Sequence, residues 1–130
     1  MAAGPTPGLA AGLVVAVCRD LLLASRIEEA CRPAARPFRR VDDPAALPPA
    51  ATAGVELLLV AWDERRPDWP EMLRAWRDAA PPATRLILFG PHTDLPAHAD
   101  ARAAGLGPMT ARSRLVATLP ELLATNAGQP

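Results

Sequence analysis

The chain has 130 residues, half of them hydrophobic, and its 14 basic and 14 acidic side chains give a formal net charge of zero. That length suits one domain burying about two-thirds of its unfolded surface without help from a metal or cofactor, and the even charge favours neither nucleic acid nor an anionic membrane. Every basic residue is Arg and none is Lys, which excludes a Schiff base, an ammonium point charge and a Lys general base.

Residues 1–11 are small, Pro- and Gly-containing and aperiodic, as expected of a flexible N-terminal tail ahead of a domain over 12–124. The stretch Gly8 to Cys18 has no positive charge before it and is too short to cross a bilayer. Val17 ahead of Cys18 also lacks the small side chain of a lipoprotein cleavage site. Cys18 and Cys31 fit no zinc or redox spacing and lie in apolar surroundings, so buried thiols in a reduced, cytoplasmic protein are expected.

Leu13–Val17 is a continuous apolar run suited to a strand buried on both faces. From Asp20 to about Arg32 the spacing becomes helical, with Leu23, Ile27, Ala30 and Cys31 on one stripe, Asp20 as cap and Pro33 as stop. Arg36–Val41 follows as an edge strand, and Asp42-Asp43-Pro44 opens a second helix cut short by Pro48-Pro49. Val55 to Trp62 is the strongest strand candidate, ending in Ala61, Trp62 and Asp63 before a polar loop over Glu64–Pro67.

Asp68 and Glu71 have capping-box spacing and predict a helix with Met72, Leu73, Trp76, Ala79 and Ala80 inward, stopped by Pro81-Pro82. Thr84–Phe89 is a fourth strand, Gly90-Pro91-His92 a turn, and Asp94–Ala104 a helix closed by Gly105. Pro108–Ala111 is a weaker fifth strand. Thr118 and Glu121 repeat the capping-box spacing and predict a terminal helix through about Leu123, with residues 125–130 as a flexible tail. Five strands alternating with five helices predict an α/β fold: a three-layer α/β/α sandwich on a five-stranded parallel sheet, in a flavodoxin-like doubly wound order.

In Asp20–Ala30, Leu86–His92 and Ala103–Ser113 the chain resembles the receiver domains of bacterial two-component response regulators, over about residues 12–124. The resemblance implies an acidic pair holding Mg²⁺ after the first strand, a phosphoacceptor Asp ending the third, and a Thr or Ser and a Lys from the last two. Mg²⁺ needs oxygen ligands and the Lys offsets phosphoryl charge. Here the acidic-pair region is Cys18, Arg19 and Asp20, the hydroxyl position is Phe89 or Gly90, and the Lys position is Arg112 followed by Ser113. Counting from Glu56 and back from Glu71-Met72-Leu73 places Ala61 at the acceptor position, whereas counting from Pro67 selects Asp63.

Other features carry two readings each. Asp20, Asp63 and Asp94 either converge on a metal or serve as two helix caps and a solvated loop acid. Arg19, Arg65, Arg66, Arg112 and Arg114 either gather as an anion site or form ordinary surface charge. His92 and His98 lack the partners of a triad or zinc site. Trp62, Trp69 and Trp76 recur every seven residues and divide between core and a protein contact, with Trp62, Arg65, Arg66, Trp69 and Arg114 as the candidate interaction surface.

The expectation is a stand-alone pseudo-receiver, without catalytic residues, metal or cofactor, that has lost aspartate phosphorylation and acts through a protein partner. The resemblance also implies self-association, as a homodimer through the last two helices and fifth strand. Neither nucleic acid nor membrane is expected as a partner. The alternatives are a response regulator phosphorylated on Asp63, and a small flavodoxin-like anion- or nucleotide-binding protein using the Arg-rich edge, although no GxGxxG or GxxxxGK[ST] loop accompanies a strand.

Overall fold

The computed structural model describes residues 12–124; the tails expected at 1–11 and 125–130 lie outside them. Five strands, β1 (Leu13–Val17), β2 (Phe38–Val41), β3 (Val55–Ala61), β4 (Arg85–Gly90) and β5 (Met109–Ala111), alternate with α1 (Leu21–Cys31), α2 (Trp69–Ala79), α3 (Leu95–Ala103) and α4 (Arg112–Ala124). All pairings are parallel and the order is β2-β1-β3-β4-β5. This is the flavodoxin-like order expected from the alternation.

The two-residue period of the strands sorts the core into two layers. Val14, Ala16, Leu57, Leu59 and Phe89 face α1 and α4, meeting Leu23, Ile27, Leu115, Leu119 and Leu123. Val15, Val17, Leu58, Val60 and Leu88 face α2 and α3, meeting Trp69, Leu73, Ala97 and Ala101. Helices therefore cover both faces, and β3 is sealed from each side.

Two elements depart from the sequence expectation. The second crossover is a single 3₁₀ turn at Pro44–Ala46, capped by Asp43, which leaves four α-helices instead of five among the described residues. Pro48-Pro49 follows too closely for a longer helix. The terminal helix begins at Arg112, six residues before the expected cap. The Thr118 hydroxyl donates instead to the carbonyls of Arg114 (2.9 Å) and Leu115 (3.2 Å), inside a helix whose Leu115, Leu119 and Leu123 stripe is buried.

Capping also differs by site. Asp20 accepts from the amides of Leu22 and Leu23, and Asp94 from that of Ala97, each at 3.1 Å. Asp68 makes no such bond, because its backbone is already helical at φ −86°, ψ −10°, where an N-cap side chain is poorly aimed. Gly105 closes α3 with φ +72°, the left-handed conformation that favours glycine. Among the described residues, no helix is long and apolar enough to cross a membrane.

Candidate functional site

Parallel strands bring their carboxyl ends to one edge, where the loops after β1, β3, β4 and β5 meet. Cys18, just beyond β1, is fully buried, and burial pushes its thiol up to about 11, above the ordinary 9.0. Its carbonyl accepts from Arg40 Nη1 at 3.0 Å. Arg19 points outward, but its backbone N–H donates to both carboxylate oxygens of Glu64, at 3.0 and 3.3 Å. Asp20 spends its carboxylate on the first turn of α1. Where the resemblance implies a pair of metal-binding acids, this loop has a buried thiol, an outward guanidinium and a helix cap.

The end of β3 is handled residue by residue. Ala61 has no exposed surface and lies in the layer facing α1 and α4. Trp62 turns to the opposite layer, where its indole donates to the Ala97 carbonyl at 3.0 Å. A 3₁₀ turn over Trp62–Glu64 then carries Asp63 back across the edge. There Arg112, at the start of α4, donates from Nη2 to Asp63 Oδ2 at 3.4 Å. Asp63 Oδ1 and Arg112 Nε are both buried with no protein partner among the described residues.

Gly90 makes this arrangement possible. A Cβ there would lie 2.9 Å from Met109 Sδ and 3.5 Å from Asp63 Oδ1, so β4 ends without a side chain where the carboxylate and thioether need room. Phe89 beside it is fully buried. Neither residue at the expected hydroxyl position offers a hydroxyl. Burial raises the Glu64 carboxyl, the Arg19 amide lowers it, and the negative charge of Asp63 raises it further.

No family model matches this chain, and neither a curated protein nor a solved structure matches it. The geometry of the edge therefore stands alone. Among the described residues no three His, Cys, Asp or Glu side chains gather to hold a metal ion; Asp20, Asp63 and Asp94 do not form that trio.

The five arginines are likewise divided. Arg65 reaches Asp100 through Nη2 (2.5 Å) and Nε (3.1 Å), donates from Nη1 to the Trp62 carbonyl (3.0 Å), and lies 5.4 Å from the centre of the Trp62 ring. It thus clamps the end of β3 to α3. Arg112 turns to Asp63, while Arg19, Arg66 and Arg114 extend outward.

Trp62 and Trp69 correct the candidate interaction surface, because both have no exposed area. Their indole nitrogens are satisfied inside the fold, by Ala97 and by Asp43 Oδ2 at 3.2 Å. Trp76 is partly buried and donates to the Pro48 carbonyl at 2.9 Å. His98 Nε2 lies 3.1 Å from the His92 carbonyl, a loop contact.

Two residues that matter here were not singled out from sequence. Glu64 ties the β1 and β3 loops together, a pairing that depends on strand register. Leu22 is 82% exposed on α1 and lines an open groove of about 480 Å³ with Arg26, Arg112, Ser113 and Val116. Its signal was present, since three successive leucines at 21–23 cannot all face the sheet from one helix.

Proposed function

We propose that this domain is a degenerate receiver of the bacterial response-regulator kind, a cytoplasmic signalling module that has lost aspartate phosphorylation and works by binding protein. The observation that carries this reading is the commitment of each acid at the carboxyl edge. Asp20 caps α1, Glu64 holds the Arg19 amide, Asp63 pairs with Arg112, and Ala61 offers no carboxylate at the buried end of β3. Phosphoryl transfer to a carboxylate needs charge neutralisation beside the acceptor and the incoming group. Here the arginine that would meet that charge already neutralises Asp63.

The test is intact mass after incubation with acetyl phosphate and Mg²⁺. The expected result is an unchanged mass. Gain of one phosphoryl group overturns the reading.

A second reading rests on Asp63 Oδ1, which has no partner among the described residues and adjoins the side-chain-free Gly90. In that reading the oxygen attacks the donor phosphorus, the P–O bond to acetate breaks, and acetate leaves while the aspartyl phosphate meets Arg112. A mass gain that disappears in Asp63→Asn selects it.

A further inference from the structure

α1 buries Leu23, Ala24, Ile27 and Cys31 against the sheet. A helix that faces the core with one stripe normally gives water a polar opposite face. Here that face is polar except at its start, where Leu22 joins Ser25, Arg26 and Glu29, all exposed, at the i, i+3, i+4, i+7 spacing of a packing stripe. Leu22 is the most exposed large hydrophobic residue of the described chain, at 82%. Arg26 and Glu29 have no ion-pair partner among the described residues, not even each other.

The order along the stripe is apolar, small and basic, acidic, and then Pro33, also exposed, just beyond the helix. Laid antiparallel on a copy of itself about a two-fold axis between positions 27 and 28, it is self-complementary. Arg26 meets Glu29 of the second copy, Glu29 meets the other Arg26, and each Leu22 covers the opposite last turn at Ala30 and Pro33. Ser25 is small enough to let the helices approach, and the groove beside α4 receives the flank. Isologous contacts require this reciprocity of one patch with itself.

We propose that α1 is a homodimer interface in which the Leu22, Ser25, Arg26, Glu29 stripe packs antiparallel on its copy. This rests on the interaction-module reading and gives it a partner, a second copy of the same chain. The surface is different from the last two helices and fifth strand that the resemblance implies. An eleven-residue helix pair falls at the small end of specific interfaces, so dissociation over about 1 to 100 µM is expected.

The experiment is sedimentation velocity over a concentration series. The parent chain should pass from monomer to dimer. Leu22→Asp should weaken association at least about tenfold, since it places a charge at the apolar end of the contact. Arg26→Glu and Glu29→Arg should each stay monomeric alone, through like-charge contacts across the axis, yet form a heterodimer when mixed because each then supplies the opposite sign.

Two results overturn the proposal: a parent chain that is monomeric to about 500 µM, or a dimer indifferent to Leu22→Asp and to both charge reversals. All three positions are exposed, so the variants leave the core intact. Either failure leaves the unchanged-mass result standing, and a mass gain on phosphodonor treatment sinks the non-phosphorylated reading without touching the dimer.

Discussion

The two ends of the sheet treat charge in opposite ways. At the amino end, Arg36, with a side chain only 1% exposed, pairs with Glu56 and donates from Nε to the Leu123 carbonyl at 3.1 Å, while Arg85 donates to the Leu122 carbonyl at 3.0 Å. These guanidiniums donate to carbonyls of the last described turn of α4. At the carboxyl end, Arg112 and Asp63 meet at 3.4 Å, are partly exposed, and leave one buried atom each without a partner among the described residues. The amino end buries its guanidinium, whereas the carboxyl end keeps its ion pairs, including Arg65 with Asp100, partly exposed and retains spare polar capacity.

The sharpest way to break this contrast is Arg36→Met. It takes the guanidinium from Glu56, which keeps only the Gly12 amide at 3.2 Å, and from the Leu123 carbonyl, and should cost about 3 kcal/mol in denaturant unfolding. A loss below about 1 kcal/mol would put the two ends on equal terms.

At the carboxyl end the largest expected loss is at Trp62, whose buried ring and indole bond sit beneath the partly exposed Arg65 clamp. Trp62→Phe removes the bond to the Ala97 carbonyl and part of a buried ring, with a loss of about 2 kcal/mol measured the same way.

Cys18 gives the pH arm. Its folded thiol is raised to about 11 from 9.0 by burial, so its contribution is fully present below pH 9.0 and is lost as pH rises toward 11. Parent stability should fall by about 2 kcal/mol more than that of Cys18→Ala across this window. The burial-raised thiol of Cys31 remains in both chains and cancels in the difference.

The smallest change should come from Asp63→Asn. Its partner is more than a third exposed, and the loss should stay under about 1 kcal/mol. A larger loss would make the Asp63 and Arg112 contact a structural lock like that of Arg36.

The sheet was legible from sequence because central parallel strands are buried on both faces and appear as short continuous apolar runs, bounded here by Pro, Gly and Asp. Where tertiary packing outweighed a local signal, the reading erred. Thr118 and Glu121 have the spacing of a cap, but the buried Leu115, Leu119 and Leu123 stripe starts the helix six residues earlier. Pro44 does open a helical turn, yet the prolines at 48 and 49 limit it to three residues.

The candidate site divides in the same manner. Which residues stand at the strand ends follows from position along the chain. Their partners do not, because Asp63 meets Arg112 across 49 residues and Arg19 meets Glu64 across 45, separations fixed only by sheet register. Trp62 was ambiguous for a related reason. One step along a strand switches the face a side chain enters, and the last residue of an apolar run has no following neighbour to fix that parity.

All three tryptophans lie in the layer under α2 and α3, and the chain has no tyrosine. Intrinsic fluorescence is therefore a one-sided reporter: it follows melting of that layer and of the clamp between β3 and α3. Events on α1 and α4 leave it dark, including assembly through Leu22. An emission spectrum unchanged by dilution, beside a sedimentation profile that shifts, would localise association to the face without indoles.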